Sequence, residues 1–233
     1  MNKLLLSGED DLNNLVVDQD TQMILNLSDC NKDINIIVEN NICLNVLEFS
    51  SNTNNKITFI LKENSSLLCN RAIKNSNDVV ITRLDGINSS VNINNSIICT
   101  STSVSTFELR HNSRNTTSNL SNHGINFSNN DMCFKVDAYI LRDSMNCITK
   151  QENKIINANC GKSYILPNLI VDNDEVEASH SAFIGDFDKE SLFYMKSRGL
   201  SDEESRSLLR ESFLLGNLDN IEDYIEQIKT ILN

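Results

Sequence analysis

A chain of 233 residues with a formal net charge of -12 and a pI near 4.6 repels phosphate backbones and anionic headgroups, which excludes nucleic acid and acidic membrane surfaces as electrostatic partners. Its length buries a sizeable core as one β body, alone or with an appendage. Seven cysteines form no CxxC pair, so zinc-finger spacing is absent and, in a reducing compartment, no disulfide framework is expected.

The first residues, MNKLLLSGEDD, reach acids by Glu9. They lack the apolar length of a signal peptide, and no later run is long enough to span a membrane, so the reading is cytoplasmic, with no membrane partner. From about residue 20 to 176, short alternating stretches recur: INIIV at 34–38, LNVLEF at 44–49, ITFIL at 57–61, VVITRL at 79–84, VNI at 91–93 and FKVDAYIL at 134–141. Period-two alternation with β-branched residues predicts strands. The turns between them are rich in Asn, whereas the chain has only seven Gly and one Pro, Pro167. Hairpin-built barrels and sandwiches need many positive-φ residues. A parallel β-helix suits the pattern better, because stacked coils let Asn, Ser and Thr side chains bond between rungs. Of 36 asparagines only Asn217, Asn220 and Asn233 follow residue 173, so the Asn-rich body stops before the next element type begins. No strict hexapeptide repeat occurs, and the coils are expected to be irregular.

After Gly185 the period becomes helical. Asp188 caps a helix carrying Leu192, Phe193 and Met195 that Gly199 ends; Ser201 and Glu204 form a capping box for a second helix closed by Gly216. A third follows from Asn220, with Ile221, Tyr224, Ile225, Ile228, Ile231 and Leu232 on one stripe. These helices either cover the β body or offer a partner a docking face. The division is therefore a β-helix core at 1–185 and a helical region at 186–233. Six cysteines (Cys30, Cys43, Cys69, Cys99, Cys133, Cys147) sit in or beside apolar runs and are expected in the core. Cys160, in NANCGK, is expected at the surface. No GxxxxGK[ST] occurs, so this chain is expected to bind no nucleotide.

Several segments agree in order with a known family. RHNSRNTTSN at 110–119, VDAYILRDS at 136–144, PNLIVDNDEVEASHSAFIGDFD at 167–188 and LFYMKSRGLSDEESRSLL at 192–209 resemble the SufB/SufD family, scaffold subunits of the SUF iron–sulfur cluster assembly machinery. The resemblance implies a mainly β fold, a right-handed parallel β-helix followed by a C-terminal α-helical region. It implies a homodimer, or a heterodimer with a SufB/SufD-like subunit, formed through the β-helix. It also implies a SufC-type ABC ATPase bound through the C-terminal helices, whose clamping twists the pair, and a sulfur donor such as a cysteine desulfurase system. The helical N-terminal region of larger members is expected to be missing. No catalytic residue belongs to this chain on that reading, since it is a scaffold and ATP hydrolysis falls to the partner.

Two positions carry the implied chemistry. Cys160, before Gly161 and ahead of Pro167, stands where SufB-like members receive sulfur, and His180 matches the Ser-His segment of SufD-like members, although Ser181 replaces the usual Gly or Glu. A transient iron–sulfur cluster is the implied cofactor, with Cys160 and His180 as its metal ligands at a dimer interface. Thiolate and imidazole both suit iron in such clusters. Their 20-residue separation is close to one solenoid coil, so successive rungs are expected to bring them together. Lys162 would favour the thiolate. Two other readings stay open: a SufD-like structural brace for a separate SufB-like scaffold, and a β-helix carbohydrate-active enzyme using Lys135, Asp137, Arg142 and Asp143.

Overall fold

The structure, a computed structural model, describes residues 1–232. Fifteen strands precede the helices: β1 (Asn2–Ser7), β2 (Leu15–Val17), β3 (Thr21–Ser28), β4 (Asp33–Val38), β5 (Cys43–Ser51), β6 (Lys56–Leu61), β7 (Ser66–Lys74), β8 (Val79–Leu84), β9 (Ser90–Cys99), β10 (Ser103–His111), β11 (Thr117–Asn126), β12 (Met132–Ile140), β13 (Cys147–Asn157), β14 (Ser163–Val171) and β15 (Val176–Gly185). Odd-numbered strands stack in order into one eight-stranded sheet and even-numbered strands into a seven-stranded sheet. Paired strands run parallel, as in β3 beside β5 and β13 beside β15. The chain thus winds between two faces as a parallel β-helix. Its coil lengthens from 23 residues in the early rungs to 31 between β11 and β13.

The corners explain why so few glycines suffice. Ten non-glycine residues adopt positive φ, nine of them Asn. Asn41, Asn64, Asn88, Asn115 and Asn146, with φ between 54° and 63°, stack on one corner. The amides of the last four each donate to the asparagine one rung earlier, at 3.1, 2.9, 3.2 and 3.2 Å. Asparagine tolerates the left-handed region because its side chain bonds locally. Left-handed backbone is therefore plentiful; the low glycine count had suggested the opposite, and only the β-helix conclusion drawn from it stands.

Inside, the register stacks Met23, Val46, Cys69, Ile93 and Leu120 in one apolar column. The next inward column is polar: Glu48, Arg71, Asn95, Asn122 and Asn153. Arg71 forms a fork with Glu48 at 2.6 and 2.8 Å and reaches Asp78 at 3.0 Å, all three buried. From there Asn95 donates to Asn122 and Asn122 to Asn153, each at 2.7 Å. Burial pushes the Asp78 pKa up against the pull of Arg71. For Arg71, burial works downward but Glu48 overrides it and holds the guanidinium above its ordinary value. Strands such as β11, TSNLSNHGIN, turn Ser118, Asn122 and Asn126 inward, so they show no alternation of apolar and polar residues and escaped the period-two reading.

Four of the six cysteines expected in the core are buried, namely Cys69, Cys99, Cys133 and Cys147. Cys30 is half-buried and Cys43 exposed at the start of β5, where the alternation turns it outward while Leu44 faces in. His111 ends β10, fully buried, with its ring nitrogens 2.7 Å from the Thr116 hydroxyl and 2.8 Å from that of Ser118. Burial lowers its pKa from 6.5 to about 4. The folded chain therefore holds a neutral ring while the unfolded chain takes up a proton below pH 6.5. His111 costs nothing at neutral pH, and it removes stability as pH falls from 6.5 to about 4, by about 3 kcal/mol in all. Urea unfolding at pH 7 and pH 4.5 should show a smaller acid loss for His111→Gln than for the parent; equal losses would contradict this assignment.

Three helices close the chain: α1 (Lys189–Ser197), α2 (Asp202–Leu215) and, after a 3-10 turn at Glu222–Tyr224, α3 (Ile225–Leu232). The Asp188 side chain accepts from the Ser191 N–H, and Ser201 with Glu204 forms the expected capping box. The outer face of the eight-stranded sheet carries Ile24, Leu47, Phe49, Ala72, Ile98, Ile125 and Ile156. Leu214, Leu218, Ile221, Ile228 and Leu232 cover it in a second core. The third apolar stripe is thus buried within its own chain.

α2 lacks a basic residue in its last turn. The sheet supplies what its terminal carbonyls need. The Ser96 hydroxyl donates to Leu214 O at 2.7 Å, and His123 Nδ1 lies 2.8 Å from Phe213 O with its ring stacked on Phe213 at 4.4 Å. His123, in the middle of β11, is thus the seat of α2.

Candidate functional site

β14 and β15 form the last rung, and among the described residues no strand pairs beyond it. Ile165 and Leu169 still pack against the core, but Tyr164, Leu166, Ile170, Phe183 and Ile184 are exposed. The stack therefore ends in two uncovered strand edges. Parallel pairing sends alternate N–H groups to opposite neighbours. On β14 the Asp172 N–H reaches back to Ile140 O, so the odd positions aim outward, and Pro167 removes the donor from the middle of that edge. β15 contains no proline.

Cys160 lies in the corner between β13 and β14 and is exposed. The corner is tied to the preceding coil by the Asn159 amide, which donates to Phe127 O at 2.6 Å. A Cβ at Gly161 would lie 2.3 Å from Asn130 O and 2.6 Å from Ser128 O. Only glycine passes that backbone, and the close approach holds the preceding thiol out toward water. Lys162 is exposed beside it.

His180 lies in β15, also exposed, in register with Gln151 of β13. Gln151 is buried while Lys150 and Glu152 alternate outward, so His180 shares the inward-facing register and is exposed only because no further rung covers it. The spacing argument for bringing Cys160 to His180 does not hold within one chain. The coil at this point runs from Cys147 to Val176, longer than 20 residues, which leaves Cys160 beyond the end of β13 while His180 sits beside its middle. Six residue steps of β13, from Gln151 to Asn157, about 20 Å of strand, lie between the position His180 faces and the start of the corner that holds Cys160. Among the described residues no group of three or more His, Cys, Asp or Glu side chains could hold a metal ion. One thiol and one imidazole suit iron chemically, but a shared site needs donors from a second chain.

Of the residues considered for carbohydrate chemistry, Lys135 and Asp137 face outward on β12, Asp137 accepting from the Asn168 amide at 2.6 Å, while Arg142 and Asp143 lie in the following corner. They do not converge on one strand face.

A separate surface forms on the first two helices. Phe193 is 76% exposed, Tyr194 59% and Leu208 47%. Arg198 stacks over the Tyr194 ring, and Lys196 bonds Asp202 at 2.8 Å, joining α1 to the start of α2. No helix among the described residues is long and apolar enough to cross a membrane.

Residues 63–213, more than half of the chain, match the family model described as SUF system FeS cluster assembly, SufBD core domain. An iron–sulfur cluster assembly SufBD family protein of Pyrococcus horikoshii is 40% identical over 67 residues, covering 28% of this chain and 15% of that protein. One from Mycobacterium leprae is 47% identical over 49 residues, 21% of this chain and 12% of the relative. The iron–sulfur cluster assembly protein SufD of Bacillus subtilis is 42% identical over 48 residues, 21% of this chain and 11% of its own length. The matched segments thus span only a small fraction of each relative.

Proposed function

Since this chain belongs to the SufB/SufD family of the SUF system, with a role in iron–sulfur cluster assembly, we propose that it is a non-enzymatic scaffold subunit that works with a SufC-type ABC ATPase. The open last rung carries this reading. It offers an exposed thiol at Cys160, an exposed imidazole at His180 and uncovered apolar strands at the same end of the stack. A second SufB/SufD-like subunit meeting that end, either another copy or a different chain, brings one subunit's Cys160 toward the other's His180. The transient cluster is cargo, built there and passed on. Cys160 receives sulfur from a donor such as a cysteine desulfurase system, and His180 offers a ring nitrogen to iron. Seven free cysteines suit a reducing, cytoplasm-like compartment.

The ATPase docks on α1 and α2, where Phe193, Tyr194 and Leu208 stand exposed. Removing residues 186–233 is a poor test, because it would also strip the cover from Ile98, Ile125 and their neighbours. Point changes are cleaner. Phe193→Ser with Tyr194→Ser should reduce co-elution with the ATPase about tenfold or more, as truncating exposed aromatic anchors does at interfaces, without changing the unfolding midpoint. Undiminished co-elution would place the docking face elsewhere. Anaerobic reconstitution with iron and sulfide tests the scaffold role itself. Visible absorption is expected from this chain with the ATPase; absorption only when a longer SufB-like chain is added would favour the structural-brace role.

A further inference from the structure

The polar group nearest His180 in the stack is the side chain of Gln151, and it is incompletely bonded. Gln151 is 3% exposed and sits directly beneath His180 in register, on the same inward face, with Leu120 beneath it in turn. Parallel neighbours lie about 4.8 Å apart, so side chains on one face are in reach of each other. The amide nitrogen makes one long bond, 3.5 Å to Asn168 O across the rung. The carbonyl Oε1 is buried with no partner at all. Its polar neighbours on the same face are engaged elsewhere: Thr149 accepts from Ser118 at 2.8 Å and Asn153 donates to Ser181 O at 3.3 Å. An orphaned buried acceptor is costly to keep, and His180, the next residue in register, carries a ring N–H with no partner among the described residues.

We propose that Gln151 is the positioning residue for His180: its side-chain carbonyl accepts the ring N–H, after rotation about the glutamine side-chain bonds, and so selects the tautomer whose other nitrogen presents its lone pair at the open end. A neutral imidazole has one N–H and one lone pair, and the partner of the N–H decides which nitrogen is free for a metal. A carboxamide performs this without adding charge. The residue after His180 is Ser181, which supplies no carboxylate. The inference rests on the scaffold reading for its use, but the contact itself is a property of the chain alone.

The test uses the intact protein with nitrogen-15-labelled histidine and reads the His180 tautomer from its two ring nitrogen shifts. The parent should show one dominant tautomer. Gln151→Leu should shift both resonances toward an averaged, unlocked ring, and Gln151→Glu, which keeps an acceptor, should restore the parent tautomer. Cobalt(II), added alone as a probe, should bind Gln151→Leu about tenfold more weakly than the parent, the lower end of losses seen when a ligand's hydrogen-bond partner is removed. His180 shifts identical in the parent and in a folded Gln151→Leu variant overturn the proposal. If the shifts move as stated while His180→Ala leaves reconstituted cluster absorption intact, Gln151 orients His180 and the scaffold role of that imidazole is what fails.

Discussion

On the proposed scaffold role, Cys160→Ala and His180→Ala are each expected to lose most of the visible absorption that anaerobic reconstitution with iron, sulfide and the proposed ATPase partner would generate, and the double variant should match the protein-free background. Replacing a hydrogen-bond partner of a metal ligand commonly costs 10–100-fold in affinity, so losing a ligand should cost at least about tenfold. Both residues are exposed, neither side chain is in the core, and the variants should fold as the parent does. Cys43→Ala is the matched control, since its thiol is also exposed but lies in the first half of the stack, at the start of β5. A spectrum that survives Cys160→Ala and His180→Ala but falls with Cys43→Ala would move the site to the other end of the β-helix. Equal spectra in all three would remove these thiols and this imidazole from the chemistry.

The second large effect concerns stability. Arg71→Met should lower the unfolding free energy by about 3–5 kcal/mol, the usual cost of removing one partner from a buried ion pair. The substitution leaves Glu48 and Asp78 buried without the guanidinium that bonds both, at 2.6 to 3.0 Å. Adding Glu48→Gln to Arg71→Met should recover part of the loss, because one stranded charge becomes a neutral amide of the same shape. Urea unfolding at pH 7 measures both. A single-variant loss under about 1 kcal/mol, the range of an exposed pair, would show that the interior admits water and screens these charges. The Arg71 change should leave the His180 end unaltered, since Asn95, Asn122 and Asn153 continue the inner column beyond it.

Legibility varied from element to element for definite reasons. β4, β6 and β8 alternate apolar and polar residues, so period two found them. β13, CITKQENKIIN, was missed because the polar side chains of Thr149, Gln151 and Asn153 face the interior, where Thr149 and Asn153 bond to the rung before. The two helix starts were readable because Asp188, Ser201 and Glu204 act on backbone a few residues away. Cys160 was readable as a surface thiol because its neighbours in NANCGK are small or polar, whereas the constraint on Gly161 comes from the preceding coil, at Ser128 and Asn130. The corner column of asparagines left its mark in composition, but the positive φ at each one did not.

What the sequence determined by itself is what short-range physics controls: strand-forming alternation, helix caps, an Asn-rich winding body that changes at about residue 185, and the motifs that mark the family. The tertiary structure decided which residues become neighbours across coils of unequal length. Register is a sum over every corner in between, and each inserted residue moves all that follows. The register between β13 and β15 therefore puts Gln151 beside His180 and leaves Cys160 in the corner past the end of β13, a pairing that no local spacing encodes.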